Sequence, residues 1–401
     1  MPSPIARNQQ QVFLRLWRGL QPHVRTDRHL PARLAEALRH REFGARDRRL
    51  YRELLYTALR YLPWIEELAA RSPDQVLRAV AWLAADTPAT HRFREALAAD
   101  LPAPSPTVAG RAAVLGVDGV PLPGWFRAHC PDAFVPPNLE ALLARAPLWI
   151  RMQTAQPEAV FAELAARGWR WRESEVQDAA CEVLDEADVT DTAAYRDGRF
   201  EIQDLGSQLV LGSVDVTRGS HWLDACAGAG GKTLQLAGLV GATGRVDACD
   251  VRPVALEELD RRAQRAGISN IEIRPEVPAG ATYDGVLVDA PCSGSGTWRR
   301  APHLKWCTTP ADVEAQAARQ QELLARMAKL VRPGGRLVYA TCSLSRRENQ
   351  EVVAAFLATQ PDFTEVAPTG SCGGAAGAPG LVFLPAQHNT DGFYVATLRR
   401  R

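Results

Sequence analysis

Lysine is nearly missing from this sequence. Of 47 basic residues in 401 positions only Lys232, Lys305 and Lys329 are lysine, which leaves 44 arginines. Arg is a flat fork and Lys a compact point charge, so a site built for one rejects the other. Whatever bias replaced Lys elsewhere spared these three positions, and two of them fall in motifs described below. Long apolar runs are missing too. None approaches the ~18 residues of a spanning helix, and the best candidate, Val76 to Ala85, is broken by Arg78. The opening stretch, MPSPIARNQQQVFLRLW, lacks the charged, apolar and small-residue order of a secretory signal. The expectation is a soluble, cytoplasmic, monomeric protein with no membrane partner. The eight cysteines form no CxxC pair, so zinc-ribbon and thioredoxin readings have no support and no metal site is expected. In a reducing cytosol each thiol is by default a small buried residue. No internal repeat is present.

Charge is balanced overall, 47 basic residues against 46 acidic, and implies no strong field. Its distribution says more. Residues 1–60 hold thirteen Arg and five acids, 13 − 5 = +8. Such a segment is compatible with an anionic partner such as nucleic acid, and equally with a solvated helical surface.

Hydrophobic residues make up 46% of the chain, ample for a core, and the length suggests two or three domains at ~150 residues each. Residues 1–100 read as helical, with Leu50, Leu54, Leu55, Ala58 and Leu59 at i, i+3/i+4 spacing. Residues 101–123 are rich in Pro, Gly and small residues and read as a linker. Residues 147–203 mix strand-like runs with a helix. From about 204, apolar strands alternate with amphipathic helices, which indicates a parallel, doubly wound α/β sheet. The expected domains are thus 1–120, helical; 121–203, linker helices and a small α+β module; and 204–401, the α/β domain. Residues 368–381 read as a loop.

The segment Trp222-Leu-Asp-Ala-Cys-Ala-Gly-Ala-Gly-Gly-Lys-Thr233 joins the first α/β strand to its helix. Glycines at this turn let the backbone approach a ligand, and the helix start offers free N–H donors. A P-loop would need glycine where Cys226 stands, so the NTPase reading fails. The dinucleotide spacing GxGxxG is absent as well. An acid at the tip of the second strand, Asp250, can accept the ribose hydroxyls of an adenosine cofactor; its bland reading is the N-cap of the helix beginning at Pro253. The third strand is expected to end on a further acid, Glu276. Loop, Asp250 and Glu276 together fit an S-adenosylmethionine site, with hydride enzymes still open at this point.

The fourth strand runs into Asp289-Ala-Pro-Cys292 and the fifth into Tyr339-Ala-Thr-Cys342, so both thiols are expected at the carboxyl edge of the sheet, where open α/β sheets bind ligands. Cys is a strong nucleophile near neutral pH if its pKa is lowered, and Lys232 could supply the positive charge.

In this order DACAGAGGKT, DAPCSGSGTWRR, APHLKW, YATCSLSRREN and TDGFY resemble the Sun/Fmu-type RNA (cytosine-5) methyltransferase family, over roughly residues 200–401. Residues 45–60, ARDRRLYRELLYTALR, resemble the NusB-like domain of its ribosomal small-subunit methyltransferase B branch. The resemblance implies a Rossmann-like class I methyltransferase domain preceded by a small α+β RNA-binding module and an all-α NusB-like domain. It implies Cys342 as nucleophile toward carbon 6 of cytosine, Cys292 as the group that helps remove the carbon-5 proton and release the enzyme, Asp289 on the base, and Lys232 beside cofactor and base. It assigns S-adenosylmethionine to Cys226, Ala227, Gly228, Ala229, Gly230, Gly231, Lys232, Asp250, Glu276 and Asp289, and 16S ribosomal RNA as substrate. The departures are Ala229 for a usual Pro, Glu276 for a usual Asp, and Ala301 and His303 for a usual His and Asp. A tRNA methyltransferase and a catalytically decayed RNA-binding scaffold are the alternatives. Arg299 and Arg300 are candidates to grip RNA phosphates.

Overall fold

The computed structural model describes residues 4–39, 43–277, 280–369, 375–376 and 379–401. Most of the loop expected at 368–381 therefore lies outside the described residues. The chain divides into two compact units, Met1–Arg145 with Thr297–Thr309, and Ala146–Gly296 with Pro310–Arg401.

The first unit is helical: α1 (Pro4–Leu20), α2 (Leu30–Leu38), α3 (Ala45–Arg60), α4 (Leu62–Arg71), α5 (Pro73–Leu83), α6 (His91–Ala98), α7 (Val108–Leu115) and α8 (Asn138–Leu143). In α1 the buried residues Ala6, Phe13, Trp17 and Leu20 fall on one stripe at helical spacing. Proline in the first turn starts α2, α4 and α5, where its missing N–H is no loss. The stretch expected to be a linker carries α7. Thr107 caps it through the Gly110 N–H, Gly116 closes it in the left-handed region, and Val108, Val117 and Leu122 are buried. The composition there punctuates a helix, so the unit runs on to Arg145 instead of ending near 120.

Residues 297–309, including the short helix α14 (Leu304–Cys307), are part of this helical unit. Lys305 is buried, its Nζ donating to the carbonyls of Arg60 (2.8 Å) and Pro121 (3.2 Å). Burial holds its pKa well below the ordinary lysine range, and the charge of Arg60 adds to the effect. Trp306 Nε1 donates to the Leu59 carbonyl at 2.7 Å. Arg299 is also buried and donates to the Arg145 carbonyl at 3.0 Å, so the expectation that it grips phosphate does not hold; Arg300 is exposed.

The second unit contains two sheets. Strands β1 (Leu148–Met152), β2 (Trp171–Glu173), β3 (Ala180–Val183) and β4 (Phe200–Ile202) form an antiparallel sheet ordered β2-β3-β1-β4. With α9 (Pro157–Ala166) and α10 (Ala193–Arg196) it encloses a core of Ile150, Val160, Leu164 and Phe200. Helix α11 (Leu205–Gly212) leads to the larger sheet.

There β5 (His221–Asp224), α12 (Gly231–Val240), β6 (Arg245–Ala248), α13 (Pro253–Arg265) and β7 (Ile271–Ile273) run outward in one direction. Then β8 (Tyr283–Asp289), α15 (Pro310–Ala328) and β9 (Val331–Thr341) run outward in the other. These five strands are parallel, as expected. After α16 (Gln350–Thr359) come β10 (Phe363–Val366), β11 (Ala375–Ala376), β12 (Leu381–Phe383), α17 (Pro385–His388) and β13 (Phe393–Arg400), and β13 is antiparallel to β9. The main order is β11-β12-β13-β9-β8-β5-β6-β7, with β10 paired to β13. The winding reverses between β5 and β8, and the carboxyl end of that pair is where such sheets hold ligands. Leu223, Val286, Val288, Leu337 and Tyr339 pack on one face of the sheet, and Trp222, Val246, Leu287 and Val338 on the other. Among the described residues no helix is long and apolar enough to cross a membrane.

Candidate functional site

At the reversal point a crevice of about 910 Å³ opens beside the glycine loop. Of the residues expected to bind a cofactor, Cys226, Ala227, Gly228, Ala229, Gly231, Lys232, Asp250 and Asp289 line it. Gly230 shapes the loop instead. It caps α12 at φ 89°, and a Cβ there would stand 2.3 Å from Leu259 Cδ1. Glu276 is not among the lining residues. Strand β7 stops at Ile273, Pro275 cannot continue the ladder, and Glu276 falls in an exposed bend. The acid expected at that strand tip is therefore not in the crevice.

Asp250 lies where the sequence placed it, just past β6. Its Oδ2 accepts from the Gly228 N–H (2.8 Å), and its Oδ1 from the N–H and Nε of Arg252 (both 2.9 Å). Burial raises its pKa, but hydrogen bonds from Arg252 and Gly228 outweigh it and hold the carboxyl below the usual range. It is thus an ionised, acceptor-only group. The N-cap of α13 is Arg252, with no side-chain cap, so Asp250 is not the helix cap; its carboxylate instead turns the chain through the Arg252 N–H and lines the crevice.

Asp224, at the end of β5, was not foreseen. It is 1% exposed, accepts from Thr233 Oγ1 at 2.7 Å, and is pushed up to about 7 by burial, with Thr233 opposing the rise and Asp289 adding to it. Arg319, Glu322 and Arg326 of α15 also line the crevice. Their helical spacing looks like any solvated face, so no local pattern singles them out.

Lys232 Nζ lies 2.9 Å from Asp289 Oδ2 and 5.0 Å from the Phe393 ring centre. This lysine was expected to lower a thiol pKa. It pairs instead with a carboxylate, and Cys292 is raised well above the ordinary thiol range by its hydrogen bond to Cys342, by burial and by the charge of Glu348.

The two thiols meet. Asp289 of β8 pairs with Ala340 of β9, so both chains leave the sheet side by side, and Cys292 Sγ stands 3.4 Å from Cys342 Sγ, both reduced. Pro291, the residue before Cys292, is part of the crevice wall. The Gly296 N–H donates to the Cys342 carbonyl (2.9 Å), and a Cβ on Gly296 would meet the Gly392 carbonyl at 2.0 Å, so only glycine fits. Among the described residues no cluster of His, Cys, Asp or Glu could hold a metal ion.

Residues 213–399 match the model of the 16S rRNA methyltransferase RsmB/F family. The "Probable ribosomal RNA small subunit methyltransferase B" of Bacillus subtilis (strain 168) is 32% identical over 272 residues, 63% of this chain and 59% of that protein. The "Ribosomal RNA small subunit methyltransferase B" of Vibrio vulnificus (strain YJ016) is 32% identical over 289 residues, 69% of this chain and 66% of that protein. The matches thus span under two thirds of these relatives. Among solved structures, PH0851 superposes with a TM-score of 0.72 at 23% identity, covering 90% of this chain and 92% of that one, a likeness of fold. A methyltransferase homologue from Pyrococcus horikoshii superposes with a TM-score of 0.58 at 25% identity, over 65% of this chain and 89% of that one. The stretch 213–399, which carries the glycine loop and the paired thiols, is thus similar to the 16S rRNA methyltransferase RsmB/F family.

Proposed function

We propose that the chain is an S-adenosylmethionine-dependent RNA (cytosine-5) methyltransferase acting on 16S ribosomal RNA. One observation carries this reading: two reduced thiols 3.4 Å apart at the carboxyl ends of adjacent parallel strands, beside the glycine-loop crevice. Chemistry with a single nucleophile needs only one.

The crevice suits the cofactor. Its volume is that of a small-molecule site. The loop 226–231 brings backbone close to a ligand, and ionised Asp250 suits ribose hydroxyls once the exposed Arg252 side chain turns to solvent. Lys232 and Asp289 stand at the thiol side, toward the methionine end. When bound, S-adenosylmethionine supplies an electrophilic methyl group.

The protein's own steps follow from the thiols. Cys342, as thiolate, adds to carbon 6 of a cytosine drawn out of its stack, and the C5=C6 π pair moves onto carbon 5. Asp289 hydrogen-bonds the ring. After carbon 5 has gained its substituent, Cys292 loses its own proton to solvent and as thiolate takes the carbon-5 proton, the C–H pair re-forms the double bond, and Cys342 leaves as thiolate. The order has a physical cause. The hydrogen bond to Cys342 is the largest influence raising Cys292, and bonding Cys342 to carbon removes it, so the Cys292 proton is lost more readily after attack than before it.

The helical unit is read as a NusB-like RNA-binding domain. Among the described residues between Arg7 and Arg52, eleven arginines are exposed, a surface suited to phosphates. The sheet β1–β4 is read as a second RNA contact.

Methyl transfer from labelled S-adenosylmethionine to 16S ribosomal RNA and to tRNA, followed by bisulfite mapping, tests the reading. A new 5-methylcytosine in 16S RNA is expected. Transfer confined to tRNA changes the substrate, and RNA binding without transfer to either leaves the scaffold.

A further inference from the structure

Beside the two thiols lies a fully buried carboxylate that the reaction above does not use. Glu348, in the turn before α16, has no exposure and no basic partner among the described residues. Its acceptor oxygens are filled by neutral donors instead. Oε1 accepts from the Ser293 N–H (2.7 Å) and Gln320 Nε2 (3.2 Å), and Oε2 from Ser293 Oγ (2.5 Å) and Ser343 Oγ (2.6 Å). Ser293 directly follows Cys292, and Ser343 directly follows Cys342. One side chain therefore grips both cysteine loops at the residue next to each sulfur. Its own backbone is fixed as well, since Tyr339 OH donates to the Glu348 carbonyl at 2.6 Å. Gln320 also donates to the Pro291 carbonyl (2.8 Å), which ties the same hub to the crevice wall.

Burying an ion without a counter-ion is unfavourable unless hydrogen bonds replace its water. Four donors do so here, at the one place where two loops must be held to within an ångström. We propose that Glu348 is the positioning residue of the thiol pair, clamping the Pro-Cys and Thr-Cys loops together through Ser293 and Ser343. What the thiols are used for rests on the function proposed above; the clamp itself does not. The charge has a second consequence. Tyr339 from β9, Cys342 just past its end and Glu348 before α16 face Cys292, with the Lys232–Asp289 pair at the root of its loop, and Glu348 is the negative group that favours the protonated Cys292 thiol.

The test needs neither RNA nor cofactor. The full chain is treated with diamide, which takes two electrons and two protons from the thiols, and the Cys292–Cys342 disulfide is followed by peptide mass spectrometry. Glu348→Ala should slow this cross-link about tenfold or more, as expected when reacting atoms lose fixed placement. Where Glu348→Ala fails to fold, Ser343→Ala, which removes one grip, is read in its place with the same direction. Glu348→Gln keeps the shape and can satisfy the serines, so cross-linking, compared at equal thiolate fraction, should return to near the wild-type rate. Without the charge, the pH midpoint for iodoacetamide alkylation of Cys292 should fall by ~1 unit. A folded Glu348→Ala protein that cross-links at the wild-type rate overturns the clamp, and an unmoved midpoint in Glu348→Gln overturns the role of the charge. If the wild-type chain methylates no RNA, the proposed function fails while these measurements still decide the clamp.

Discussion

Lys232 in the first turn of α12 and Asp289 at the end of β8 form an ion pair of 2.9 Å that ties the glycine loop to the Pro-Cys loop. The lysine is 8% exposed and its partner 30%. In a chain that writes Arg 44 times, a compact ammonium is kept at this point. Lys232→Ala leaves Asp289 unpaired near buried Asp224 and should destabilise the protein by about 1–3 kcal/mol, less than a fully buried pair because Asp289 reaches solvent. Lys232→Arg should not restore activity, because a guanidinium spreads its charge over a planar fork instead of placing a compact point charge at Asp289. Urea unfolding and methyl-transfer rates check both; wild-type rates in Lys232→Arg would remove the argument for a point charge.

The two thiols should separate by function. Cys342→Ala is expected to abolish both methylation and any covalent adduct. Cys292→Ala still permits attack by Cys342 but leaves the ring unable to eliminate the enzyme, so an RNase-sensitive protein–RNA adduct should accumulate on denaturing gels. An adduct that forms with Cys342→Ala and not with Cys292→Ala would reverse the roles.

Asp250 is expected to carry ribose binding. Asp250→Ala should weaken S-adenosylmethionine binding by roughly 1–3 kcal/mol in calorimetry, as hydrogen bonds to an ionised acceptor are lost. Glu276→Ala should leave the affinity unchanged, since Glu276 stands exposed and outside the crevice lining.

The buried Asp224 predicts a pH signature. Its folded pKa, about 7, lies above the ordinary 3.8, so the folded state holds a proton that the unfolded chain releases. Its contribution to stability is fully present below about pH 4 and is lost as pH rises through 7. Asp224→Asn mimics the protonated acid at every pH. The stability of wild type relative to Asp224→Asn should therefore fall by on the order of 2–4 kcal/mol between pH 4 and 8. A difference that is flat across this range, read from thermal unfolding, would contradict the burial argument.

Exposed arginines of the helical unit should set the salt dependence of RNA binding. Deleting residues 1–60 would remove core side chains such as Phe13, Trp17, Leu50 and Leu54, so point changes are the sound test. Replacing Arg7, Arg18 and Arg49 with Gln should lower affinity and reduce the slope of log K against log salt by roughly one for each phosphate no longer neutralised. An unchanged slope would leave these residues as a solvated surface.

The fold class, the order of strands and helices from β5 to β9, and the delivery of Asp250, Cys292 and Cys342 to one sheet edge were legible in the residues. Apolar runs bounded by Gly, Pro and Asp mark where strands stop, and a parallel sheet sends all their carboxyl ends to one side. Where a strand end was misjudged by three residues, at Ile273, Glu276 went with it. Tertiary structure alone decided which side chains meet. Cys292 and Cys342 are 50 residues apart and come within 3.4 Å only through the Asp289–Ala340 register. Glu348 sits in a charged Arg-Arg-Glu-Asn run that looks like solvated surface, yet it is buried because two serines and a glutamine from three separate segments converge on it. The same holds for Arg299 and Lys305, basic residues in a polar run that packing draws into the helical unit. Local periodicity specifies an element and its faces; the partner across the gap is set by the packing of distant segments, and no local pattern encodes it.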